Sequence, residues 1–203
     1  MGLSIHYQGK IKSYALIDEM MAEVEDICKS LDWKYQLFYT KKRSSRKKTN
    51  QPVKYTPHDV KGISFTPREC ETVFLTFLPD ATLCSPVKLI YYNPATNDLM
   101  IEWIHTKTQF AGPDIHIALL KLFRYLSDKY FESLELNDEG LYWNKWDEKI
   151  LLSQFARYNF ILDKVTAALS NIKAAPGESA ESLGDRIEEI LKQKFGGEKD
   201  TDS

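Results

Sequence analysis

The stretch HTKTQFAGPDIH, residues 105–116, gathers two imidazoles, an ammonium, threonine hydroxyls and a carboxylate within one short span. Imidazole and carboxylate groups can exchange protons near neutral pH, and a lysine such as Lys107 can hold an anion. Leu99, Ile101 and Trp103 alternate ahead of it. A strand over Leu99–Thr106 would therefore carry His105 and Lys107 onto the same buried face as it ends. Gly112 and Pro113 then open a helix, whose first turn offers free backbone N–H groups and the positive end of the dipole. Ligands of strand–helix units gather at the carboxyl end of the strand. Asp138 and Glu139 close the next strand, and reach the same edge if that strand runs parallel.

The candidate ligand-binding set is thus His105, Lys107, Thr108, Asp114, His116, Asp138 and Glu139. Trp143 joins it from the aromatic run EGLYWNKWDE at 139–148. Aromatics beside carboxylates can line a pocket, although they more often anchor the entry to a long helix. Each other member also has a plain structural role. Asp114 suits a first helical turn, His116 flanks a core stripe, Asp138–Glu139–Gly140 is ordinary turn chemistry, and Lys107 can extend its ammonium into water. On sequence grounds the structural roles outweigh the site. The spacing His105-x10-His116 matches no metal signature, and neither a metal nor a cofactor is expected.

A second cluster is KKRSSRKK at 41–48, in which Lys41, Lys42, Arg43, Arg46, Lys47 and Lys48 could contact phosphates. No aromatic lies within it to stack on a base, and the whole chain carries a net charge of −2. A solvated basic loop over 39–59 is the expected role, and a nucleic acid is not the expected partner.

Covalent chemistry has less to work with. No G-x-S-x-G elbow, glycine-rich phosphate loop or C-x-x-C is present. Cys70 sits between Glu69 and Glu71, whose charges disfavour a thiolate.

The elements that must position these groups are readable from periodicity. Leu3, Ile5 and Tyr7 alternate as a strand, and Leu16, Ile17, Met20, Val24, Ile27, Cys28 and Leu31 form a helical stripe behind Ser13. Trp33, Tyr35 and Leu37 alternate again, so a strand–helix–strand unit with parallel strands is expected. Short strands follow at Gly62–Phe65, Thr72–Leu78, Val87–Tyr92 and Leu99–Thr106, then a helix with Leu119, Phe123 and Leu126 inward, a strand at Leu134–Leu136, and a long helix from near Asp147. The class is α+β: a single two-layer domain over residues 1–174, its mixed, mainly antiparallel sheet covered by two or three helices. A flexible C-terminal tail occupies 175–203, with an amphipathic helix at about 179–195.

No apolar run spans a bilayer and no signal-peptide core is present, so a cytoplasmic protein without a membrane partner is expected. The leading functional expectation is a non-enzymatic binding or interaction protein. It would engage a protein partner, or self-associate through the apolar Val87–Tyr92 edge. A small enzyme or anionic-ligand site at 105–116 is the alternative, and nucleic-acid binding through 41–48 ranks third.

Overall fold

Alternation in SIHYQGKI sends Ile5, Tyr7 and Ile11 into the core and leaves Lys10 in solvent, which makes the segment strand β1 (Ser4–Ile11). In this computed structural model, residues 2–40, 55–91, 101–170, 177 and 179–195 are described. They divide into two compact units, Met1–Phe155 and Ala156–Ser203.

In the first unit β1 lies between β5 (Ile104–Lys107) and β6 (Phe131–Asp138) and is antiparallel to both. The two outer strands therefore run parallel to each other, joined by helix α3 (Pro113–Tyr130). Ser4 faces Lys107 and Ile5 faces Asp138, so the carboxyl ends of β5 and β6 meet at the same edge. A second sheet, in the order β2 (Lys34–Phe38), β3 (Lys61–Thr66), β4 (Val73–Phe77), is antiparallel throughout. The class is α+β, with the strands divided between two sheets rather than gathered in one.

Helix α1 (Ile17–Ser30) has Asp18 and Glu19 in its first turn and Lys29 in its last, as the helix dipole favours. Its stripe of Ile17, Met20, Val24 and Cys28 is buried, and it packs against β3. The expected parallel pairing of the strands on either side of it does not form. Both edges of β1 are taken by β5 and β6, so β2 turns away into the other sheet.

Two further expectations are corrected. Val87–Tyr92 is not a strand: Lys88–Tyr91 is the single helical turn α2, and Tyr92 lies outside the described residues. Pro86 precedes the turn, and Ser85 starts it by accepting the Leu89 N–H at its carbonyl, 3.2 Å away. Self-pairing through that segment has no strand edge to use. The strand expected over Leu99–Thr106 starts only at Ile104. That shifts the alternation by one residue: Ile104 and Thr106 are buried, while His105 is exposed.

The two sheets are tied by polar groups at the β4 edge. Tyr7 Oη accepts the Phe74 N–H at 3.0 Å and donates to the Phe74 carbonyl at 3.2 Å. Thr106 Oγ1 donates to the Thr72 carbonyl at 3.3 Å. Burial keeps the Tyr7 phenol neutral by raising its pKa, so it acts as a hydrogen-bonding bridge and not as a charge. Tyr7→Phe leaves the Phe74 N–H without this partner and is expected to lower unfolding stability by about 1–3 kcal/mol in urea titration.

The chain continues through the one-turn helix α4 (Tyr142–Lys145), α5 (Glu148–Leu169) and α6 (Ala180–Phe195). On α6, Leu183, Ile187 and Ile190 are half-buried and share one face. Among the described residues, no helix is long and apolar enough to cross a membrane.

Candidate functional site

Three of the residues singled out by sequence converge in the core. Thr108 follows β5, His116 lies in the second turn of α3, and Asp138 ends β6; all three are 0–2% exposed. Thr108 Oγ1 is 2.7 Å from His116 Nδ1, and His116 Nε2 is 2.8 Å from Asp138 Oδ1. Asp138 also accepts the Gly140 N–H at Oδ1 (2.7 Å) and the Trp143 N–H at Oδ2 (2.9 Å). Thr108 Oγ1 has a second acceptor, the Leu3 carbonyl, at 3.2 Å. With a neutral imidazole protonated at Nε2, the Thr108 hydroxyl donates to Nδ1. With an imidazolium, Nδ1 donates to Thr108 Oγ1, whose proton turns to Leu3. Both states are fully hydrogen-bonded.

Burial alone would raise the Asp138 carboxyl. The hydrogen bond and charge of His116, with the Trp143 and Gly140 N–H groups, outweigh it and hold Asp138 below the usual carboxylate range. The packing leaves no spare volume. A Cβ on Gly140 would lie 2.5 Å from Leu151 Cδ1 and 2.9 Å from His116 Nε2. Phe155 closes the other side with its ring 5.8 Å from the imidazole. The order hydroxyl–imidazole–carboxylate is that of an activated nucleophile. Here, however, the hydroxyl is sealed, and the chain acts as a brace between β1, β5, α3 and β6.

The other nominated residues stand apart from this brace. His105 is exposed on the outer face of the first sheet, its ring 6.0 Å from that of His6. Glu139 is on the same side, 3.6 Å from His6 Nε2, and accepts the Ser4 N–H at 2.7 Å. Lys107 is half-buried, with its ammonium 5.4 Å from the centre of the Phe110 ring. Asp114 is exposed in the first turn of α3. The Trp143 side chain belongs to a separate aromatic group, 6.0 Å from Trp146, over which Arg124 stacks at 3.9 Å. Lys41, Lys42, Arg43, Arg46, Lys47 and Lys48 lie outside the described residues. Burial, then the charge of Glu71, pushes the Cys70 thiol up to about 12, which disfavours a nucleophile there.

The concave site is elsewhere. A groove of about 430 Å³ runs over the face of the second sheet opposite α1. The strand register puts Lys34, Gln36 and Phe38 of β2, Ser64 and Thr66 of β3, and Phe74 of β4 on that face. Small side chains at Ser64, Thr66 and Thr72 form the floor between Phe38 and Phe74. Pro57, Pro86, Val87 and Ile90 make walls. Val87 is 52% exposed and Ile90 63%. A smaller cavity of about 340 Å³ shares Thr72, Phe74 and Val87 with the groove and is also lined by Glu71, Ser85 and His105. The groove as a whole is not legible in the sequence, because its lining comes from five separated segments. The legible trace of it is the small-residue row Gly62, Ser64, Thr66 alternating with Ile63 and Phe65.

Compared with protein-family models, with curated proteins and with solved structures, the chain matches none.

Proposed function

We propose that the chain is a non-enzymatic binding protein that holds its ligand in the groove over the second sheet. The observation that carries this reading is the groove's make-up. Its volume of about 430 Å³ suits a ligand site, and its walls are aromatic, aliphatic and proline side chains. Among the described residues, Lys34 is its only charged lining residue, and no His, Cys, Asp or Glu lines it. Such a site recognises apolar surface with a negative group. The anion-site reading at 105–116 keeps one supporting observation, His105 at the adjoining cavity, where it would extend the same seat.

The apolar anion 1-anilinonaphthalene-8-sulfonate tests this. Its emission is expected to rise saturably with the native chain. Ile90→Asp should weaken binding about tenfold and Lys34→Ala several-fold, with circular dichroism unchanged. Equal binding by all three proteins would reject the groove as the seat.

A further inference from the structure

Deepening the binding reading, and resting on it, we infer that the groove's occupant is an extended segment of another protein. This segment adds as a fourth strand to the free edge of β2 and lays apolar side chains and an acidic one into the groove. The first ground is the edge itself. In the order β2-β3-β4, β2 has a strand neighbour on one side only among the described residues. About half of its backbone N–H and C=O groups consequently point outward, a template for one more strand. Two of the usual guards are missing: Lys34–Phe38 holds no proline, and its register with β3 runs without a bulge.

The second ground is that edge and groove are one surface. Lys34, Gln36 and Phe38 border the groove at every second position of β2. A strand beside them repeats that spacing, about 7 Å between side chains on one face. The groove-facing side chains of the incoming strand would then stand beside Lys34, Gln36 and Phe38 at the rim of the groove, with Val87 and Ile90 on its wall. Backbone pairing supplies affinity and the alternate side chains supply selectivity.

Charge decides between another protein and a second copy. Lys34 has no carboxylate partner among the described residues, so an acidic side chain in the incoming strand would complement it. The β2 sequence KYQLF brings no acid of its own. Joining two β2 edges antiparallel would set Lys34 of each copy beside Phe38 of the other and supply no acidic group to either lysine.

The full chain, immobilised, is screened against a display library of random peptides about seven residues long. Enriched peptides are expected to alternate apolar residues with at least one Asp or Glu. A synthesised winner should lose affinity about tenfold when one alternate set of its amides is N-methylated, and keep it when the other set is. Its binding should also fall about tenfold with Ile90→Asp, or with Val87→Asp should the first variant fold poorly. Peptides that need Ile90 but ignore both N-methyl sets would leave the groove reading standing and overturn strand addition. So would an absence of enriched peptides while the naphthalene sulfonate still binds in an Ile90-dependent way. A dimer in light scattering that Gln36→Pro dissociates would make a second copy the occupant and overturn the inference.

Discussion

Replacing Asp138 by alanine is expected to lower unfolding stability by about 3–5 kcal/mol, read as a fall in the urea midpoint at unchanged slope. The carboxylate is buried and accepts from His116 Nε2 and from the Gly140 and Trp143 N–H groups. Alanine removes both acceptor oxygens, and with them all three hydrogen bonds, and leaves those donors where water cannot replace them. Asp138→Asn keeps the shape and one acceptor oxygen, and should lose less. Acid distinguishes the two proteins further. The Asp138 carboxyl is held below the usual carboxylate range in the folded chain, so the unfolded chain binds its proton first as pH falls. Its stabilisation is complete above the unfolded value of about 3.9 and is lost as pH drops through the lower folded value. The native and Asp138→Asn stability curves should therefore converge below about pH 4, while remaining separated at neutral pH.

Gly62→Ala is the second large effect, expected on the order of 3 kcal/mol. Gly62 sits in β3, the central strand of its sheet, at φ +151°, where a side chain is strained. A Cβ there would lie 2.1 Å from the Leu75 carbonyl oxygen and 2.7 Å from Thr76 Cα. These are backbone atoms of the paired strand β4 and cannot swing aside as a side chain would. Relief requires opening the β3–β4 ladder, which also carries the groove floor. Gly62→Ala should thus lower the thermal midpoint and weaken binding of the naphthalene sulfonate together, whereas Asp138→Ala, in the other sheet, should leave the groove affinity of its folded fraction unchanged.

Local periodicity made the helices legible. The α1 stripe of Met20, Val24 and Cys28 and the α3 stripe of Leu119, Phe123 and Leu126 are both buried as the 3.6-residue repeat requires. Short apolar segments were not decidable in this way. VKLIYY is as apolar as a strand, and Pro86 together with Ser85 turns its start into a helix. In the stretch leading to His105, the alternation of Ile101 and Trp103 implies one phase, but the strand begins one residue after Trp103 and the phase inverts. Sequence did bring Thr108, His116 and Asp138 into one group, because strand ends and a helix start converge wherever outer strands run parallel. Their sealing by Gly140, Leu151 and Phe155 depends on tertiary packing, which no spacing records. The groove is likewise a product of strand pairing between segments far apart in sequence.

The central place of β1 has a consequence for synthesis on the ribosome. Its partners are remote: Ser4 pairs with Lys107 and Ile5 with Asp138. Translation at roughly 5–20 residues per second leaves this strand emerged but unmatched for on the order of ten seconds. Throughout that interval the strand lacks both neighbours of its ladder, and only the 81–83 segment, which bonds Gly9 and Ile11, and Phe74, which bonds Tyr7, are there to hold it. The second sheet, built from residues 34–77, can assemble earlier around α1. The nascent chain then carries a half-paired apolar strand until β6 arrives and the strand is drawn between its two late neighbours.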